Sequence, residues 1–347
     1  MMHVADGNPV TVISLIENNG VVRTTRTRNS AFASIQPEIV GVCGTDRHLF
    51  EGRLSAPAGT VIGHEIVGHV ETLPPEFPLV ADWDVRVGDR VVVAPGISCQ
   101  RCPHCLRYGM YCQRRKLYGL GSAGHGIHGG LSDTVELLPD TRLFRVPDRL
   151  PAQRAVFIEP VACGVRAMHT ASLTVGPLSG RRALIVGFGG IGLAVATVAA
   201  YAGAHVEICE LDGLRQQVAE RLGFPVATPS QVEPGSYDLA VECAGVPAAF
   251  AGAVRAVRPG GTVIEMGNFA DAGPGEVPVA EICQRDIRVA GVSETRDADF
   301  RVAVDVVAHS PIDLAAAIGT VHRFQDLDAP EVLFTKWDVL KQVVCFD

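Results

Sequence analysis

The sequence predicts a two-domain α/β protein, a mostly-β amino-terminal half followed by a doubly wound parallel sheet, and three observations carry that prediction. The first half strings short apolar runs between glycine and proline turns, the middle repeats strand, turn and helix, and a glycine-rich turn sits at the first strand-to-helix passage of that middle part. With 347 residues, 47% of them hydrophobic, the chain can bury a core in each domain.

In the first domain, residues 1–155, strands are expected at Val10–Ile16, Ile39–Val42, Gly63–Val70, Asp89–Ala94 and Thr134–Leu138. In the second, residues 156–293, the strand Ala183–Val186 leads into a helix Gly190–Ala202, then the strand His205–Cys209 and a helix Gly213–Leu222. The strand Asp238–Glu242 follows, then a helix Pro247–Val257, a turn at Arg258-Pro259-Gly260-Gly261 and the strand Thr262–Met266. Strands alternating with helices of this length build a parallel sheet. The tail, residues 294–347, is expected to return to the first domain.

A net charge of −8 with scattered basic residues argues against a nucleic-acid surface. The uncharged run Ala183–Ala204 is long enough to raise a membrane span, but it opens as a β cluster and is broken by Gly187, Gly189, Gly190 and Gly192, so none is expected. Met1–Gly20 carries Asp6 and Glu17 where a secretion signal needs an apolar stretch, which makes the cytoplasm the expected location.

Gly187-Phe188-Gly189-Gly190-Ile191-Gly192 matches GxGxxG between a strand and a helix, the context in which that pattern cradles a pyrophosphate against a helix N-terminus. The next strand ends in Glu210, placed to accept hydrogen bonds from the ribose hydroxyls of NAD and to repel the extra phosphate of NADP. Arg215 nearby leaves NADP open.

Four of the ten cysteines, Cys99, Cys102, Cys105 and Cys112, fall within fourteen residues, a lobe at about residues 95–115. Four thiolates at short spacing can close a tetrahedral shell on zinc, and a closed shell is structural because no position is left for substrate. A second, dispersed set is Cys43, His64, Glu65 and Glu159; a cysteine, a histidine and a carboxylate leave zinc one open position.

The order of these motifs resembles the zinc-containing medium-chain dehydrogenase/reductase family over nearly the whole chain, and within it the sorbitol and threonine dehydrogenase branch. The resemblance implies a GroES-like catalytic domain with a Rossmann domain, assembled as a homodimer or homotetramer. It makes Cys43 and His64 ligands of a catalytic zinc, Glu65 a ligand or its neighbour, and Thr45 and His48 a proton relay. Both family choices for the third ligand occur, Glu159 and Cys163, with Glu159 preferred; Cys105 and Cys112 stand one residue closer than in most members.

The implied activity is hydride transfer between NAD and a secondary alcohol: a polyol, cyclitol, sugar or amino alcohol. Two zinc ions per chain are expected. Metal lowers the pKa of bound water from 15.7 to about 7, and the same effect on an alcohol is worth up to ~12 kcal/mol. A metal-free NADPH-dependent enone reductase of the same superfamily would lack the ligand types present here. A zinc-braced nucleotide-binding protein without turnover would need no open zinc. His125 and His128, in a glycine-rich stretch, carry no assigned role.

Overall fold

The computed structural model describes residues 9–16, 20–29, 31–108, 111–120, 126–127, 129–267, 275–335 and 340–346. His125 and His128 lie outside the described residues. The chain divides into two compact units, Met1–Glu159 with Ile318–Trp337 and Lys341–Asp347, and Pro160–Ala317 with Asp338–Leu340.

In the first unit the central strands Ser34–Val42, Glu65–Thr72 and Arg90–Val93 run antiparallel side by side. Their Val and Ile side chains join a core with Tyr118, Leu131 and Phe334. Thr141–Arg145 and Leu79–Val80 extend one side of this sheet. On the other side Lys341–Cys345 pairs antiparallel with Ser34–Val42, Gln342 opposite Val42, and Ile318–Arg323 follows it. A hairpin of Pro9–Ile16 and Gly20–Thr27 forms a separate two-stranded sheet.

The second unit holds a six-stranded parallel sheet. Its strand order is Val226–Ala227, His205–Cys209, Arg182–Val186, Tyr237–Glu242, Val257–Glu265, Arg288–Gly291. The order reverses at Arg182–Val186, the topology of a doubly wound dinucleotide-binding sheet. The helices Gly190–Tyr201, Gly213–Arg221 and Pro247–Ala256 connect successive strands, as the alternation predicts. The uncharged run Ala183–Ala204 is thus part strand and part helix, and no helix of the described residues is long and apolar enough to cross a membrane.

Two expectations are corrected. The turn expected at Arg258–Gly261 is instead an irregularity inside the strand Val257–Glu265. Tyr237 faces Val257 and Leu239 already faces Thr262, so Gly260, at φ 71°, absorbs the excess residues as a bulge. The chain also leaves the second unit at Ala317, later than residue 293. The helix Asp297–His309 buries Phe300, Ala303, Val306 and Val307, and its Asp305 accepts a hydrogen bond from Tyr201 on the helix Gly190–Tyr201 at 3.0 Å, which keeps that helix with the parallel sheet.

Candidate functional site

Sheet register brings the dispersed residues of the first unit together. Cys43 follows the last residue of the strand Ser34–Val42, and Glu65 begins the neighbouring antiparallel strand directly after His64, with Glu65 opposite Gly41. The ligand atoms of Cys43, His64 and Glu65 all lie within 4.8 Å of one another. Sulfur, imidazole nitrogen and carboxylate oxygen converging in a buried spot are the donor set of an open zinc site. Glu159 is also buried, but it lies outside that tight set. Cys163 is half-buried on the helix Ile158–Val175 and belongs to the second unit.

Asp46, which sequence reasoning passed over, organises the set. Its Oδ2 accepts from the Cys43 N–H at 2.8 Å and its Oδ1 from the Gly63 N–H at 3.2 Å, so one carboxylate ties both ligand-bearing segments. Oδ1 also stands 3.5 Å from His64 Nδ1, the position of a carboxylate that orients a metal-binding imidazole and leaves the other ring nitrogen for the metal. Burial opposes charge on His64, yet Asp46 and Cys43 outweigh it and hold the imidazole pKa well above its ordinary value. Metal binding there displaces a proton.

Lys341 is the second residue missed. It opens the strand on the far side of Ser34–Val42 and reaches over Gly41 to ion-pair with Glu65, the two side chains being 3% and 2% exposed. A Cβ on Gly41 would overlap Glu65 Oε2 and stand 3.0 Å from Lys341 Cε, so glycine is required for this contact. Burial works against the Lys341 charge, but Glu65 and Cys43 raise its pKa above the usual lysine value. Glu159 is pushed up to about 7, chiefly by burial, with Glu65 adding to the rise and His64 opposing it. A lone lysine at the end of the chain sends no signal that it will meet a motif 276 residues earlier.

Thr45 and His48 sit on the short helix Gly44–Phe50 that Cys43 starts, both half-buried. The Cys43 thiol donates to Thr45 Oγ1 at 3.7 Å, which puts that hydroxyl beside the ligand set. His48 lies three residues further along the same helix.

In the cysteine lobe the four thiols lie within 4.8 Å of one another. Sγ atoms of Cys102 and Cys105 are 3.4 Å apart and those of Cys99 and Cys112 3.5 Å, far beyond a disulfide bond and close to the ~3.8 Å edge of a tetrahedron with metal–sulfur bonds of about 2.3 Å. Backbone N–H groups of Cys99, Cys105 and Arg114 point at these sulfurs at 3.3 to 3.4 Å. The N–H bonds of Cys105 and Gln113 bring Cys102 down to about 6, whereas burial and the neighbouring thiols push Cys105 up to about 12. The shorter Cys105–Cys112 spacing therefore still closes the set.

In the second unit Gly187, at φ 90°, leaves the strand Arg182–Val186, and a Cβ there would come within 2.8 Å of Ala244 N. The tight turn favours glycine over residues with a Cβ. Gly192 packs against the Gly187 carbonyl, while Gly189 and Gly190 have open space where a Cβ would be, a bare backbone surface at the N-terminus of the helix Gly190–Tyr201 on which Ile191 is half-buried. This cradle fits a pyrophosphate. Glu210 Oε2 accepts from the Phe188 N–H at 2.7 Å, and Oε1 from Leu211 and Asp212 at 2.7 and 2.9 Å. The expected ribose acceptor thus also braces the glycine turn. Arg215 is half-buried beside it, its N–H capped by Asp212 at 2.9 Å.

Residues 31–148 match the model of the alcohol dehydrogenase GroES-like domain, and residues 190–309 that of the zinc-binding dehydrogenase domain. A Mycobacterium tuberculosis protein assigned as an alcohol dehydrogenase is 31% identical over 301 residues, covering 79% of this chain and 80% of its own. Arabidopsis thaliana sorbitol dehydrogenase is 30% identical over 312 residues, 84% of this chain and 80% of its own. Among solved structures, a Sinorhizobium meliloti protein assigned as a zinc-binding dehydrogenase and bound to NADP superposes with a TM-score of 0.85 at 25% identity, covering 97% of this chain and 99% of its own.

Proposed function

We infer that the chain, which belongs to the zinc-containing alcohol dehydrogenase family, works as a zinc- and nicotinamide-dependent oxidoreductase of small-molecule alcohols. On that premise we propose that it interconverts a secondary alcohol of the polyol, cyclitol, sugar or amino-alcohol class with its carbonyl, using NAD, with two zinc ions per chain. The observation that carries the reading is the convergence of Cys43, His64 and Glu65 within 4.8 Å. A metal-free reductase has no use for it.

When bound, zinc supplies a Lewis acid that makes an alcohol oxygen more acidic, and the nicotinamide accepts hydride. The chain's own residues do the rest. Cys43 and His64 are held as ligands by Asp46, and Glu159 or Glu65 completes the donor set. Lys341 ion-pairs with Glu65 and balances that carboxylate's charge in the buried site. The Thr45 hydroxyl holds the alcohol's proton and passes it towards His48. Glu210 favours NAD, because its fixed charge repels a 2′-phosphate, and Arg215 is the residue that would reverse the preference.

The cysteine lobe takes the structural zinc. A homodimer or homotetramer in the cytoplasm is the assembly and location that go with this reading.

The test is metal analysis together with NAD and NADP reduction over a panel of polyols, cyclitols and amino alcohols, repeated with Cys43→Ser. Two zinc ions, NAD-linked turnover, and loss of one zinc with the activity in the variant are expected. One zinc and turnover indifferent to Cys43 would overturn the reading.

A further inference from the structure

The second unit carries two acids that neither the metal set nor the glycine turn uses. Glu242 ends the strand Tyr237–Glu242, Glu265 ends the strand Val257–Glu265, and the two are direct partners in the parallel register. Their side chains therefore leave the same face of the sheet side by side.

Glu242 is fully buried and Glu265 half-buried. One oxygen of each is fixed by backbone. Glu242 Oε1 accepts from the Ala244 and Gly245 N–H groups at 2.8 and 2.9 Å, and Glu265 Oε1 from the Gly267 N–H at 2.7 Å. The other oxygen of each, Oε2, is buried without a hydrogen-bond partner. A Cβ on Gly267 would overlap Glu242 Oε2, so backbone closes over that atom. Two touching carboxylates with idle buried oxygens cannot both be ionised, and one proton between them satisfies both.

The pair also stands beside the cofactor cradle. Ala244, whose N–H Glu242 holds, is the residue that packs against Gly187. In the sheet the two acidic strands lie on the opposite side of Arg182–Val186 from His205–Cys209, the strand that leads to Glu210. A doubly wound sheet takes one nucleotide on each half. With the adenosine ribose at Glu210, the nicotinamide half falls at the carboxyl ends of the strands that carry Glu242 and Glu265.

We propose that Glu242 and Glu265 share a single proton and sense the charge of the nicotinamide ring. The pair keeps its proton beside the neutral, reduced ring and releases it to solvent when the cationic, oxidised ring binds. The inference rests on the reading that the chain binds a nicotinamide dinucleotide. Only an O–H bond breaks at the pair, the proton goes to water, and no electron moves there.

Burial and the Glu242 carboxyl push Glu265 up to about 8, which places the exchange in the neutral range. Among the described residues the other titratable group beside the pair is the half-buried Cys243 thiol, driven well up by desolvation and by both acids, so it stays protonated. Among the described residues no cation ion-pairs with either acid. NAD+ and NADH carry the same phosphates and differ in the ring charge, so comparing them cancels the phosphate contribution, and the Glu265→Gln variant separates the pair from the groups of the metal set that also titrate near neutrality.

The test is calorimetric titration of the intact chain with NAD+ and with NADH, and with NADP+ and NADPH, in buffers of different ionisation heat near neutral pH. The oxidised form should release a proton that the reduced form does not. Its affinity relative to the reduced form should rise about tenfold from mildly acid to mildly alkaline pH, the effect of one unit charge several Å away at an effective dielectric of about 20.

Glu265→Gln should shrink the difference in proton release between the two forms and flatten the pH dependence of the affinity ratio by the share the pair supplies. Equal release in the unaltered chain, or an undiminished difference in the variant, would overturn the proposal. Should the variant fail to fold, infrared difference spectra of the unaltered chain decide instead: a protonated-carboxyl band lost with NAD+ and kept with NADH supports the pair, and no such loss refutes it. If no nicotinamide cofactor binds at all, the functional reading falls with it, a result separate from binding without proton release.

Discussion

At the metal set of the first unit every functional atom belongs to a side chain, Cys43, His64, Glu65 and their supports Asp46 and Lys341, whereas at the cofactor cradle of the second unit the surface is bare backbone at Gly187, Gly189 and Gly190. The two sites therefore fail in opposite ways. The first breaks when atoms are taken away, because a donor or a neutralising charge is lost in a place water cannot repair. The second breaks when atoms are added, because a Cβ occupies the space a phosphate needs or meets the neighbouring chain. The cysteine lobe is a third case: its donors are side chains, but backbone N–H groups orient them and all four come from one short segment.

Cys43→Ser should give the largest loss, on the order of 10³-fold or more in turnover, since Lewis-acid stabilisation is worth several kcal/mol. Metal content should fall by one zinc while the melting temperature barely moves. Retention of full metal content would remove Cys43 from the set and with it the contrast between the two sites.

Cys102→Ser should cost stability, about 3 kcal/mol, read as a lower melting temperature with the same single-zinc loss. If it abolished turnover with no change in melting, the assignment of closed and open sites would be reversed. Asp46→Asn keeps the shape but weakens the acceptor that holds both ligand segments. Zinc affinity at the open set should drop about 10- to 100-fold against a competing chelator, the lobe zinc being unaffected.

The smallest effect is expected from Gly187→Ala. Its φ of 90° and the 2.8 Å approach to Ala244 N cost about 1–2 kcal/mol for a residue with a Cβ, so cofactor affinity should fall roughly tenfold with metal content unchanged. A loss of zinc in this variant would mean that the two sites are not separable by adding or removing atoms.

Much of this was legible before the structure. The glycine turn, the cysteine lobe, and Cys43 with the adjacent His64 and Glu65 were all found from residue types and order. Asp46 was overlooked because an acid after Gly-Thr reads as an ordinary helix-starting residue; only its three simultaneous contacts give it a role. The acids Glu242 and Glu265 read as strand ends, and the bulge that brings Leu239 opposite Thr262 also sets Glu242 opposite Glu265. That register cannot be counted from a turn expected at Arg258–Gly261.

The sequence by itself determined the parts whose geometry is local. Four cysteines within fourteen residues can reach one metal whatever surrounds them, and GxGxxG between a strand and a helix makes its own turn. The tertiary structure decided everything that crosses the sheet. Glu65 meets Lys341 only because the strands on either side of Gly41 carry them to the same face, and the helix Asp297–His309 stays with the second unit because its apolar side packs there. The physical reason is that local spacing fixes which side chains can meet along one segment, while contacts between segments depend on register and burial, which the whole fold sets at once.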